Sequence, residues 1–151
     1  MFAKLPEEMR RAYERLIGKT LDKFLDAGHG TCVLKMPPIR KVLVDAMKHV
    51  HGKRVWTGDY VIMPNHVHVL MTPCDGFELE DILHSVKSFT ANRINGLLNV
   101  SGPFWQRDSY DHIVRDREQL LAYQRYIAAN PLKAKLELGT YLCQTAEYGE
   151  A

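Results

Sequence analysis

The chain has 151 residues, 46% hydrophobic and 25% charged, with a net charge of +2, which is one domain's worth with a proper core. Its pI near 8.4 falls short of the ~9 of a typical basic nucleic-acid domain, so any such site must be a local patch. Three scattered cysteines, Cys32, Cys74 and Cys143, exclude a disulfide framework or zinc cluster and fit reduced thiols in the cytoplasm, and no apolar run or leader predicts contact with a membrane.

Pro6-Glu7-Glu8 reads as a helix start, followed by apolar residues at helical spacing: Met9, Tyr13, Leu16, Ile17, Leu21, Phe24 and Leu25. Gly28-His29-Gly30 ends that helix, and Thr31 to Leu34 reads as a short extended piece. Pro37-Pro38 opens a second helix that presents Ile39, Leu43, Ala46, Met47 and Val50 on one side and stops at Gly52. Arg54 to Thr72 is predicted to be a β-hairpin turning at Pro64-Asn65.

Glu78 to Leu98 has the period of a long helix, with Leu79, Ile82, Leu83, Val86, Phe89, Ile94 and Leu97 predicted inside. Gly102-Pro103 breaks the chain, and Asp111 to Val114 is a candidate strand. A last helix starts at Asp116-Arg117-Glu118 and reaches Asn130, where Pro131 kinks it or begins a new turn. Alternating strands and helices with a hairpin predict an α+β architecture, an antiparallel sheet covered by helices.

Chemistry concentrates in two short stretches. In Met63-Pro64-Asn65-His66-Val67-His68 the two histidines are i and i+2 on a strand, so they project from one face. Two such imidazoles can share a divalent ion. In Tyr126-Ile127-Ala128-Ala129-Asn130-Pro131, Tyr126 and Asn130 lie one turn apart on a helix, so a hydroxyl nucleophile and an amide oxygen share a face. Metallo-hydrolases that use His-x-His often continue with an aspartate two residues on, where this chain has Leu70. A barrel amidohydrolase needs roughly 250 residues.

The segments VIMPNHVHVLMTP, FWQRDSYDHIVRD and YIAANPLKAKL resemble the single-tyrosine transposases of the HUH superfamily, and within them the REP-associated tyrosine transposases. The similarity runs from about Leu25 to Leu142. It implies a single transposase-like domain over residues 1–151 with a ferredoxin-like HUH fold, the His-x-His strand near the sheet centre. It also implies a cytoplasmic enzyme that uses Mg²⁺ or Mn²⁺ to cleave and rejoin single-stranded or hairpin DNA, with Tyr126 as nucleophile, His66, His68 and Asn130 as metal ligands, and a monomer or homodimer as the working unit. Family members usually open with an apolar strand, whereas this chain reads as opening with a helix. Either an upstream segment is missing from this sequence or the sheet has fewer strands.

DNA contacts are expected from two places. The polar side of the Glu78–Leu98 helix is cationic and rich in amides, with Lys87 and Arg93 suited to phosphate oxygens. Trp105 beside Arg107 could stack a base and hold its phosphate. The competing readings are a relaxase or replication initiator, whose histidines often follow the tyrosine, a degenerate hairpin-binding protein without cleavage, and an unrelated metal hydrolase.

Overall fold

In a computed structural model of the chain, the described residues are 20–27, 32–106 and 110–145. They form strands β1 (Leu21–Asp26), β2 (Val55–Ile62), β3 (His66–Pro73), β4 (Tyr110–Ile113) and β5 (Leu142–Gln144). The helices are α1 (Pro37–Val50), α2 (Leu79–Leu98) and α3 (Arg117–Lys133), with one 3₁₀ turn over Val33–Lys35. The strands make one sheet in the order β4-β1-β3-β2-β5, antiparallel at every pairing. The α+β expectation holds. The His-x-His strand β3 is central, with β1 on one side and β2 on the other.

Cross-strand partners share a face, and the register sorts the sheet into two sides. Val67, Val69 and Met71 of β3 join Leu25, Ile62 and the inner residues of α1 and α2 in the larger core. His66, His68 and Leu70 point the other way, where Val61, Met63, Leu70 and Val114 meet Leu120 and Ile127 of α3 in a smaller core. Each β3 side chain from Val67 to Thr72 is buried, because both faces are covered by helices. Both sheet edges are short strands of four and three residues, which limits edge-to-edge pairing.

Two predicted elements differ in the structure. The helix predicted across Leu21, Phe24 and Leu25 is strand β1, hydrogen-bonded to β3 and β4. Spacing of three and four residues misleads here because the buried face of the strand carries Lys23 beside Leu25, so the apolar alternation of a half-buried strand is broken. Periodicity identifies an amphipathic element by its apolar positions, and a lysine at a buried one hides the strand's period of two. The helix start at Pro6 lies outside the described residues, and Leu34 belongs to the 3₁₀ turn rather than an extended piece.

The other boundaries follow local chemistry. Pro37 and Pro38 occupy the first positions of α1, where their missing N–H groups cost nothing. Asn99 (φ 54°) adopts the left-handed conformation that stops α2. Asp116 caps α3: its carboxylate accepts from Gln119 N at 2.8 Å, and Gln119 Oε1 accepts from Arg115 N at 2.8 Å, a reciprocal arrangement close to a capping box. Pro131 does not end α3, which runs on to Lys133.

Candidate active site

The site is built at the start of β3. The Pro64-Asn65 turn is tied down three ways: Met63 N donates to His66 O at 2.8 Å, Ala27 N to Asn65 O at 2.8 Å, and Leu34 N to Pro64 O at 3.0 Å. The first histidine therefore sits on a backbone fixed by β1, β2 and the 3₁₀ turn together. Its ring is fixed as well, since His66 Nδ1 lies 2.8 Å from Asn65 Oδ1. An amide oxygen only accepts, so Nδ1 carries the proton and Nε2 presents its lone pair.

Burial holds the His66 pKa below the ordinary imidazole value; the Asp26 carboxylate opposes this shift, and the neighbouring His68 reinforces it. The lowered pKa favours neutral imidazole, the ligating form. Asp26 is the direct cross-strand partner of His66. Sequence alone does not point to Asp26, because a helical β1 has no register that aligns the two residues. Asn65 was read only as a turn residue, and its contact with the next side chain carried no separate signal.

α3 delivers Tyr126 to this place. Leu120 and Ile127, exposed 0% and 1%, anchor the helix against Val61, Leu70 and Val114. Gln124 Nε2 reaches Asp59 Oδ1 at 3.5 Å, from α3 to β2. Tyr126 is then set edge-on to His68, ring centroids 5.1 Å apart and planes at 69°, and remains 46% exposed. Lys133 Nζ lies 5.6 Å from the centre of the phenol ring, an association set by two turns of α3. Tyr123 packs against the smaller core instead. Asn130 is half-buried one turn beyond Tyr126.

As a metal site the donor set is two imidazoles on β3, with Asn130 carried on α3 one turn beyond Tyr126. Among the described residues no group of three or more His, Cys, Asp or Glu side chains is arranged to hold an ion. The pair of adjacent imidazoles, one kept neutral by burial, fits a divalent ion whose remaining ligands come from oxygen atoms outside that residue set.

The expected DNA contacts fall elsewhere. Lys87 and Arg93 are on α2, across the sheet from His66, His68 and Tyr126. Lys87 is half-buried, and burial first, then Lys23, lowers its pKa. Arg93 is exposed. Trp105 is half-buried, packs edge-on to Phe104 at 4.8 Å, and its indole N–H donates to Thr90 Oγ1 at 2.9 Å, so much of the ring is engaged within the fold. Arg107 lies outside the described residues. Phe89 and Leu97, predicted inside, are 52% and 59% exposed, and Thr90 is buried in that register instead, its hydroxyl satisfied by donating to Val86 O at 2.7 Å.

The family described as Transposase IS200 like matches residues 35–130, more than half of the chain and the stretch that carries His66, His68 and Tyr126. The chain belongs to the IS200-like transposase family. Among solved structures it is similar to a REP-associated tyrosine transposase bound to a REP hairpin, with 16% identity and a TM-score of 0.61 over 78% of this chain and 69% of that one. A second, from Deinococcus radiodurans R1 and assigned as a transposase, shares 17% identity with a TM-score of 0.49 over 72% of this chain and 88% of that one. No curated protein sequence matches. Among the described residues of this transposase-family chain, no helix is long and apolar enough to cross a membrane.

Proposed function

We propose that this chain is a single-tyrosine HUH transposase of the REP-associated kind, which cleaves and rejoins single-stranded DNA at hairpin-forming repeats through a 5′-phosphotyrosine intermediate. The observation that carries the reading is the edge-on contact between Tyr126 and His68 at 5.1 Å. It sets a phenol beside an imidazole pair in a single copy of the chain, which favours action in cis. The fold shared with a hairpin-bound REP-associated transposase supports the choice of substrate.

His66, His68 and Asn130 would hold Mg²⁺ or Mn²⁺, with phosphate oxygens of the substrate completing the set. Bound there, the ion would withdraw charge from the scissile phosphate and weaken the repulsion that meets an incoming phenolate. Asn65 orients the His66 ring through Nδ1, which would leave ligation to Nε2. Tyr126 supplies the nucleophile: its Oη–P bond forms as the bond to the 3′ oxygen breaks, leaving a free 3′-hydroxyl. Lys133, beside the phenol ring, is placed to meet a phosphate oxygen. The phosphotyrosine conserves the bond energy, so a second 3′-hydroxyl can reverse the step and join a new strand. A single strand suits this geometry, since its backbone can bend into line with Tyr126.

The test is a labelled single strand carrying a repeat hairpin, incubated with Mn²⁺ and run under denaturing conditions. Wild type should form a denaturation-resistant adduct, Tyr126→Phe none, and Tyr123→Phe the wild-type amount, with mass spectrometry placing the nucleotide on Tyr126. Replacing His66 and His68 together by Ala should remove Mn²⁺ binding by calorimetry and cleavage alike. A nucleotide on Tyr123, or cutting without any adduct, would overturn the mechanism. Tight hairpin binding with neither cutting nor adduct would identify a binding protein instead.

A further inference from the structure

The outer side of α2 presents an aromatic ring that the core does not use. Phe89 is 52% exposed. One turn on, the Arg93 guanidinium carbon sits over its ring, 6.0 Å from the centroid. Asn92, Ser85 and Ser88 are also exposed on this helix, and no Asp or Glu occurs from Ile82 to Val100. A single exposed apolar residue is ordinary on a protein surface. An exposed ring partnered by a guanidinium, on a helix without carboxylates after its first turn, is complementary to one kind of ligand: a flat apolar surface flanked by negative charge.

We propose that Phe89 and Arg93 form a stacking site for an unpaired nucleobase, with the base on the Phe89 ring and Arg93 on an adjoining phosphate. This rests on the reading of the chain as a DNA-handling enzyme and adds to it a base contact remote from the cleavage chemistry. Every base has a π-face, so such a site takes single-stranded DNA with little sequence preference. It lies across the sheet from Tyr126. A strand stacked there must round an edge of the sheet before it reaches the nucleophile, so the site would grip DNA outside the reacting dinucleotide. A protein partner fits less well, because the surface offers one ring and a cation rather than a broad apolar patch.

The experiment compares a short oligothymidylate with an abasic strand carrying the same number of phosphates, at one salt concentration. Wild type should prefer the thymidylate by about tenfold or more, within the range that one base stacked on an aromatic contributes. Phe89→Ala should lose most of that preference while keeping its affinity for the abasic strand. Phe89→Leu, which retains bulk and helix propensity, should lose it as well. Arg93→Ala should weaken binding to both strands, and Leu97→Ala, on the same helix without a guanidinium, should change neither.

Equal binding of both strands by wild type, or an undiminished preference in Phe89→Ala, would overturn the stacking site and leave the cleavage reading intact. So would a loss in Leu97→Ala as large as that in Phe89→Ala, or a dimer that dissociates in Phe89→Ala by sedimentation, which would assign the surface to a second copy. Wild type that binds neither strand would overturn the stacking site, while the DNA reading itself stands or falls with the hairpin-bearing strand of the adduct test.

Discussion

The two faces of the sheet do different work. On one, among the described residues, α1 and α2 close a core of twenty buried side chains that runs from Leu25 to Phe104. On the other, among the described residues, α3 contributes Leu120 and Ile127 to a cluster of six that runs from Val61 to Ile127, and His66, His68 and Tyr126 lie on this side. Apolar burial contributes roughly in proportion to area, so the first face supplies most of the stability. The second carries polar side chains of graded exposure, from His68 at 5% to Tyr126 at 46%. Strand β3 belongs to both: its even-numbered residues carry the histidines and its odd-numbered ones anchor the larger core. The histidines are rigid because the opposite side of their own strand is packed.

Core truncation on each face should break this division most visibly. Leu43→Ala, at a fully buried position on α1, should cost about 2–5 kcal/mol in urea unfolding. Ile127→Ala, on α3 at 1% exposure, should fall low in that range because the smaller core can relax around it. It should nevertheless reduce adduct formation more than Leu43→Ala, since Ile127 adjoins Tyr126. Equal effects of the two on adduct yield per folded molecule would show that α3 is not separately placed.

Loss of the α3 cap should be milder. Asp116→Ala removes the bond to Gln119 N and should cost about 1 kcal/mol, with faster amide exchange confined to the first turn of α3. Exchange that rises equally in α1 would make the faces one cooperative unit.

The smallest effect is expected from the far side. Lys87→Ala should leave cleavage by a saturated enzyme unchanged and reduce the salt slope of single-strand binding by roughly 0.7, the share of one phosphate contact. An unaltered slope would assign Lys87, already half-buried beside Lys23, to the fold alone.

The sequence by itself determined the hairpin, α1, α2, β4 and α3, along with the α+β architecture. Each of these has an amphipathic period or a bounded apolar run, closed by prolines, glycines or an acidic cap. It also determined that His66 and His68 share a face, because the period of a strand is two. What it could not determine is where elements far apart in the chain meet. β1 reads as a helix, since Lys23 on its buried face breaks the alternation that would betray a strand, and with β1 goes the alignment of Asp26 against His66. Phe89 read as core because its spacing on α2 matches the buried residues, yet the packing of that helix buries Thr90 and turns the ring outward. The approach of Tyr126 to His68, 58 positions apart by their numbers, was supplied to the sequence reading only by resemblance. Only the tertiary structure decides such a contact on physical grounds, because it depends on how Leu120 and Ile127 seat α3 against Leu70 and Val114, and local periodicity carries no record of that docking.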